Sequence, residues 1–211
     1  MNLILGNIVD NVHAKKVIKN LDKYILKAKE AQPLNAATVI SACDKLSSKL
    51  SEDDIKLLTD MGVPDYKAEQ EFKILKLILS KEYLENRLKT ELGTSETYEY
   101  EEEYKPYGYD VKVRHKFVPL GTLFHISAGN VELLAAFSII EGLLTGNINI
   151  VKLASSDDGL SVMLLKKLID IEPLLKSFIF VFDIASDDIK TLKKISYFSD
   201  ALVVWGSDEA I

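Results

Sequence analysis

The chain has 211 residues, 47% of them apolar, which suits one large domain or one and a half domains with a sizeable core. A formal net charge of −6 argues against a duplex nucleic-acid partner, which needs a basic face. The single cysteine, Cys43, excludes an intrachain disulfide and a cysteine zinc cluster.

The opening Met1-Asn2-Leu3-Ile4-Leu5-Gly6-Asn7 lacks the basic start and the apolar length of a secretion signal. No apolar run reaches about 18 residues, so no membrane span is expected, and a soluble cytoplasmic protein is the default. Residues 14–92 read as helical. Val17, Ile18, Leu21, Tyr24, Ile25 and Ala28 mark one stripe at helical spacing. Asn35 is a good N-cap for a helix carrying Val39, Ile40, Cys43, Leu46 and Leu50. Ser51, with Asp54 three residues on, resembles a capping box for a short helix ending at Gly62. Beyond Pro64, one long helix with Phe72, Leu75, Leu79 and Leu84 inward runs to Gly93.

Residues 94–118 change character. Tyr98, Tyr100 and Tyr104 crowd with Glu99, Glu101, Glu102 and Glu103, and the alternation suggests a strand. Pro106-Tyr107-Gly108 suggests a turn. Val111, Val113 and Phe117 alternate with Lys112, Arg114 and Lys116, so an acidic strand and a basic strand are expected to pair as a hairpin arm. A tyrosine platform for single-stranded nucleic acid would need surrounding basic charge, and the glutamates oppose it. No nucleic-acid partner is therefore expected.

From about residue 119 the pattern is strand–helix alternation with short links. Strands are expected at Leu123–Ile126, Ile148–Leu153, Phe178–Ile184 and Ala201–Trp205, and helices at Val131–Thr145, Gly159–Ile169 and Asp187–Tyr197, with a further one starting at Gly206. Near-continuous apolar strands imply that both sheet faces are covered, hence a parallel sheet. The expected divisions are a helical region over 1–93, a hairpin arm over 94–118 and a Rossmann-like α/β unit over 119–211.

In such a sheet, ligands bind beyond the carboxyl ends of the strands. Three strand-to-helix links qualify: Ser127-Ala128-Gly129-Asn130, Lys152 to Asp158, and Gly206-Ser207. Each leads into a helix N-terminus, where free N–H groups favour an anion. There is no Gly-x-Gly-x-x-Gly and no Walker loop. Each link taken singly has a structural reading as well, because tight strand–helix turns need small residues anyway. Asn130 is a good N-cap, and Lys152 could be a strand-edge lysine reaching for solvent. A lysine after Ile148–Val151 nevertheless interrupts a buried pattern, which favours a ligand role.

Pro119-Leu120-Gly121, Ser127-Ala128-Gly129-Asn130, Gly142-x-x-x-Gly146-Asn147, Ile150-Val151-Lys152 and Val204-Trp205-Gly206-Ser207-Asp208-Glu209, in that order, resemble the cofactor domain of the aldehyde dehydrogenase superfamily. Within it, Ile126-Ser127-Ala128-Gly129-Asn130-Val131 most resembles the luminescence-type fatty acyl-CoA reductases. The resemblance is specific from about 119 to 211. It implies an incomplete aldehyde dehydrogenase-like fold and reduction of an acyl-CoA or acyl-carrier substrate to the aldehyde through an acyl-cysteine, with NADPH as reductant. It further implies an acyl-transferase or synthetase partner and makes self-association plausible.

The resemblance assigns roles residue by residue. Asn130 matches the loop Asn that helps stabilise the oxyanion. Lys152 matches the strand-end Lys that contacts the adenosine ribose or its phosphate. Gly206 and Ser207 match the pair that meets the pyrophosphate. Ser155 stands where many NAD-using members carry a ribose-binding Glu, and the missing carboxylate tilts the expectation toward NADP, with NAD as the alternative.

The family's aromatic after the first strand is absent, and its catalytic Cys and base Glu fall after the Gly-Ser helix, whereas this sequence ends at Ile211. The expectation is thus that the 211 residues alone lack reductase activity. Cys43, between Ile40 and Leu46 on a helix face, reads as a buried structural thiol. His13, His115 and His125 form no triad; His125 precedes the first ligand loop and is a candidate for lining the cleft. Two other readings remain open: a non-catalytic NADP(H)-binding or regulatory module, and a helical interaction protein without a ligand.

Overall fold

The structure, a computed structural model, describes residues 1–60, 64–96, 101–129, 131 and 133–206, with the backbone alone at 57, 58, 101, 102 and 115. The chain opens with two short strands, β1 (Asn2–Ile4) and β2 (Asn7–Val9), followed by helices α1 (Asn11–Lys19) and α2 (Leu21–Lys29). Then come α3 (Ala36–Lys49), α4 (Glu52–Asp60), α5 (Asp65–Ile78) and α6 (Lys81–Leu92). The hairpin β3 (Glu101–Tyr104) and β4 (Val113–Lys116) precedes the alternating unit β5 (Thr122–Ile126), α7 (Leu134–Leu144), β6 (Ile148–Lys152), α8 (Leu160–Ile171), β7 (Ile179–Phe182), α9 (Ile189–Tyr197) and β8 (Ala201–Val204).

The expected parallel sheet is present over β7-β6-β5-β8, and the four strands and three helices expected between 119 and 205 overlap observed elements, whereas the further helix expected from Gly206 lies outside the described residues. The sheet order is β2-β1-β7-β6-β5-β8. β5, β6 and β7 step one way across the sheet, so right-handed crossovers put α7 and α8 on one face. The step from β7 back to β8 reverses direction and puts α9 on the other. β8 therefore lies on the opposite side of β5 from β6, and the order reverses between β5 and β8. Phe124, Ile150, Phe180 and Phe182 are fully buried at the centre of this sandwich.

The N-terminal hairpin departs from the sequence reading, which placed residues 1–93 in a helical region. β1 pairs antiparallel with β7, aligning Leu3 with Val181 and Ile4 with Phe180. Its turn puts Leu5 at φ 49 and Gly6 at φ 80, the conformation usually signalled by Asn-Gly or Asp-Gly. A leucine in the left-handed region gives no such signal, and three-residue strands carry no visible alternation.

Two helices expected as continuous are each broken in two. Asn20 separates α1 from α2, its side chain donating back to Lys16 O at 3.0 Å. Ser80 separates α5 from α6, and its Oγ accepts from Tyr83 N at 3.3 Å as an N-cap. Serine and asparagine compete for backbone partners in this way and so end helices without glycine or proline. The Asn35 cap forms as expected, accepting from Thr38 N at 2.8 Å. So does one arm of the Ser51 box, in which Ser51 N donates to Asp54 Oδ2 at 3.0 Å. Gly93, at φ 75, closes α6, whereas Gly62 lies outside the described residues.

The helical layer is not a separate body. α3 packs against α5 and α6 on one side and against α7 and α8 on the other, so one core runs through both regions. On the opposite sheet face, α1 packs on α9 and α2 on β6. The hairpin arm forms a sheet of its own. Glu103 accepts from Lys112 Nζ at 3.0 Å and Arg114 Nη2 at 3.3 Å, the expected acidic–basic pairing.

Candidate functional site

Half of the glycine–asparagine motif is architectural. Asn147 Oδ1 accepts from Gly121 N at 2.9 Å, while its Nδ2 donates to Thr145 Oγ1 at 2.7 Å. The end of α7 is thereby fastened to the start of β5. Gly121, at φ 123, lies against Asp200, whose carboxylate accepts from Thr122 N at 2.7 Å. Gly146, at φ 76, has Pro119 Cγ 3.1 Å from where a Cβ would sit. These residues lie at the amino ends of the parallel strands. Their work is to set the spacing of β5, α7, β6 and β8.

The other half gathers at the carboxyl ends. Ile126, Ser127, Ala128, Gly129, Lys152, Ser186, Leu192, Val204, Trp205 and Gly206 line one cleft of about 580 Å³. That volume suits a small-molecule or cofactor site. β5 pairs with β6 through Ile126 and Lys152 and with β8 through Ile126 and Val204, so the cleft opens where the strand order reverses. This is the place at which doubly wound sheets take their ligands. The first two links are also tied together. Ser156 Oγ donates to Gly129 O at 3.0 Å, and a side chain at 129 would overlap that hydroxyl.

Lys152 is only 5% exposed, and its ammonium donates to Ser186 Oγ at 2.7 Å. Burial lowers its pKa from the ordinary lysine value, and Asp183 offsets part of that. Among the described residues no carboxylate sits within ion-pair distance of Lys152, so a buried cation faces the cleft with a hydroxyl as its partner. Such a group favours an incoming anion. The alternative of an edge lysine reaching for solvent does not match this burial.

Of the other expected site residues, Gly206 lines the cleft with Lys152. Ser155 is exposed and is not among the lining residues. Asn130 and Ser207 lie outside the described residues, although their neighbours Gly129 and Gly206 both reach the cleft. His125 does not line it. The ring is 1% exposed, on the α7 side of β5, and burial pushes its pKa down to about 4. The alternation of a strand puts His125 one residue away from cleft-facing Ile126, on the covered face. Cys43 is fully buried, and burial with the nearby Asp44 charge raises its pKa to about 12, so it is no nucleophile.

Ser186, Leu192 and Trp205 are cleft residues that the sequence reading did not assign. Ser186 was legible. It sits in the link after β7, which ends at the same sheet edge as the three links that were considered. Trp205 stood inside the quoted Gly-Ser run, but nothing in the sequence says which way its ring turns.

A parallel sheet with helices on both faces and a cation-bearing cleft at the switch point defines a Rossmann-like α/β unit. Its fold is that of the aldehyde dehydrogenases. A benzaldehyde dehydrogenase from Corynebacterium glutamicum, described as NAD-dependent, superposes with a TM-score of 0.61 at 15% identity, covering 89% of this chain and 46% of that one. Glyceraldehyde-3-phosphate dehydrogenase GapN from Methanocaldococcus jannaschii, solved with NADP, gives 0.53 at 18% identity, covering 97% and 38%. The family profile described as "Acyl-CoA reductase (LuxC)" matches residues 31–211, and the chain belongs to that family. Long-chain acyl-protein thioester reductases are similar: that of Aliivibrio fischeri is 32% identical over 160 residues, and that of Vibrio harveyi 31% over 159. Each match takes in 74% of this chain and 32% of the relative, so the chain spans about a third of the length of those relatives. Among the described residues no helix is long and apolar enough to cross a membrane.

Proposed function

We propose that this chain carries the nucleotide-binding part of an enzyme that reduces a thioester-activated fatty acyl group to the aldehyde, with NADPH as reductant. Family membership supports the acyl reduction. The observation that carries the cofactor assignment is Lys152, a buried ammonium facing the cleft and hydrogen-bonded to the Ser186 hydroxyl. No carboxylate lines the cleft among the described residues, which favours a ligand carrying a 2′-phosphate.

Lys152 and Ser186 would bind that phosphate, and Gly206 with Ser207 would bind the pyrophosphate. Asn130, on the loop after β5, would donate to the developing oxyanion of the acyl group. The bound reduced nicotinamide supplies a hydride. An acyl-cysteine is the intermediate, and its cysteine is not Cys43, which is buried and held protonated. The 211-residue chain therefore binds without turning over. Incubation with an acyl-CoA and NADPH should show no consumption above buffer, and turnover abolished by Cys43→Ala would overturn this.

Titration calorimetry with NADP and NAD tests the site. The phosphate–ammonium hydrogen bond contributes about 1.5–3 kcal/mol, a preference for NADP of roughly tenfold to hundredfold. Lys152→Ala should abolish the preference. Equal binding of the two cofactors by the unaltered chain would refute the assignment.

A further inference from the structure

Behind the cleft runs a chain of buried hydrogen bonds whose donors and acceptors can all be assigned. Asn149 Nδ2 donates to Asn147 O at 2.8 Å, which turns its Oδ1 toward His125. His125 Nε2 lies 3.0 Å from that oxygen and so carries the ring proton. Burial keeps the ring neutral, leaving Nδ1 as an acceptor. Ser138 Oγ is 2.6 Å from Nδ1 and must donate to it. The lone pairs of Ser138 are then free for an N–H, and Trp205 Nε1 donates to it at 2.9 Å. An indole can only donate, so every group in the series has one role. The series starts on β6, passes through β5 and α7, and ends on the ring of Trp205, which lines the cleft and is 39% exposed.

Ser138 and His125 would be unneeded polar groups in an apolar core if they did not fix something. A buried network of this kind is retained at a cost unless it specifies one arrangement. What it specifies here is the orientation of a half-exposed tryptophan in a ligand cleft. Lys152 and Trp205 stand at the ends of β6 and β8, with β5 between them, so their backbones are about 10 Å apart. A ligand whose phosphate meets Lys152 reaches Trp205 with a part remote from that phosphate.

We propose that Trp205 is the wall against which the cofactor ring remote from the Lys152-bound phosphate rests, and that Ser138, oriented by His125, is the positioning residue that holds the indole there. This rests on the reading of the cleft as an NADP(H) site. The indole face offers stacking to a planar ring, while its N–H is already committed to Ser138 and makes no bond to the ligand. Ser138 and His125 touch no ligand themselves.

Trp205 is the sole tryptophan of the chain, so its fluorescence reports this ring alone. Ser138→Ala should increase acrylamide quenching and lower the emission anisotropy, while Ser138→Thr, which keeps the hydroxyl, should restore both. Calorimetry with NADPH and with adenosine 2′,5′-bisphosphate, which lacks the remote ring, gives the second readout. Losing one hydrogen bond's worth of positioning should weaken NADPH by about fivefold. Adenosine 2′,5′-bisphosphate should bind Ser138→Ala as it binds the unaltered chain. In a Trp205→Phe background, Ser138→Ala should have no further effect on NADPH, a coupling that a general loss of packing would not produce. Far-UV circular dichroism and urea midpoints identify any variant that fails to fold, and Trp205→Phe, which removes only the N–H and one ring, then carries the comparison. Unchanged quenching and anisotropy in Ser138→Ala overturn the positioning role. Equal weakening of both ligands overturns the ring contact. Absence of binding by either ligand to the unaltered chain overturns the NADP(H) reading instead, and the ring contact with it.

Discussion

A methyl group on Gly142 would overlap Asn149 Oδ1 and sit 2.8 Å from Asn149 Cγ, so the last turn of α7 and the start of β6 meet without room for a side chain. The oxygen in question is the one that accepts from His125 Nε2 at 3.0 Å. Gly142→Ala should therefore do two things: force the helix off the sheet and break a buried hydrogen bond. Overpacking typically costs about 1–3 kcal/mol and an orphaned buried polar group about as much again. A loss of about 3 kcal/mol in urea unfolding is the expected outcome, against the usual gain in helix propensity from glycine to alanine. A variant as stable as the parent would show that α7 can shift freely.

His125 makes the fold acid-sensitive. Its pKa is about 4 when folded, against about 6.5 for the unfolded chain, because burial disfavours the imidazolium. Between those values the unfolded state binds a proton that the native state does not, so stability rises with pH through the window from 4 to 6.5. Going from pH 7.5 down to 5 should remove about 2 kcal/mol through this residue alone. His125→Gln is less stable at neutral pH, but its urea midpoint should change less over that interval. Identical pH slopes for the two proteins would exclude His125 as the cause.

What was legible in the sequence follows from how locally each feature is encoded. β5, β6 and β7 announce themselves because a strand buried on both faces has to be largely apolar, as in Ile179–Phe182, whereas edge strand β8 is apolar although Leu202 is exposed. The unusual burial of Lys152 is readable for the same reason, as an exception inside such a run. β1 was not, because its identity as a strand comes from β7, 170 and more residues away, and its turn uses a leucine at positive φ. Whether His125 lines the cleft turns on one piece of phase information that the sequence lacks: which face of β5 holds α7. Once Ser138 and Asn149 are known to lie on that face, the histidine belongs with them. Ser186 carries no motif of its own; its place follows from the link after β7 ending at the same sheet edge as the other three.

The hairpin arm gives a prediction about assembly. Its strands pair only with each other, and Tyr107 and Tyr109 at its tip are exposed, Tyr107 fully so. A lone two-stranded hairpin is marginal in water, so an arm of this kind is expected to pair with another copy or with a further part of a longer protein. Its Glu103 bonds to Lys112 and Arg114 are solvent-exposed and contribute little. Deleting residues 96–117 should lower the number of chains per particle measured by light scattering. An unchanged number of chains would eliminate pairing between copies.

The pair formed by Lys152 and Ser186 predicts how cofactor binding depends on pH and on one substitution. The ammonium is the form that attracts a 2′-phosphate, so affinity for NADP is full while Lys152 is protonated and falls as pH rises through its pKa. Burial has lowered that pKa, so the decline should begin at a lower pH than for an ordinary lysine. NAD, which has no 2′-phosphate, should show no such decline. Placing a carboxylate at the partner position changes both terms. Ser186→Asp would neutralise Lys152 and repel the phosphate, while offering an acceptor to the free ribose hydroxyls of NAD. Preference should pass from NADP to NAD, a change of at least about tenfold in the ratio of dissociation constants. The new carboxylate also raises the pKa of Lys152, so whatever NADP binding persists should resist alkali better than in the parent. Ser186→Ala separates the two roles of the serine: it removes the hydrogen bond without adding charge and should leave the preference for NADP in place. Calorimetric titrations of the three proteins from pH 6.5 to 9.5 would measure all of this. NADP affinity that does not vary with pH, together with an unaltered preference in Ser186→Asp, would mean that the phosphate is bound elsewhere.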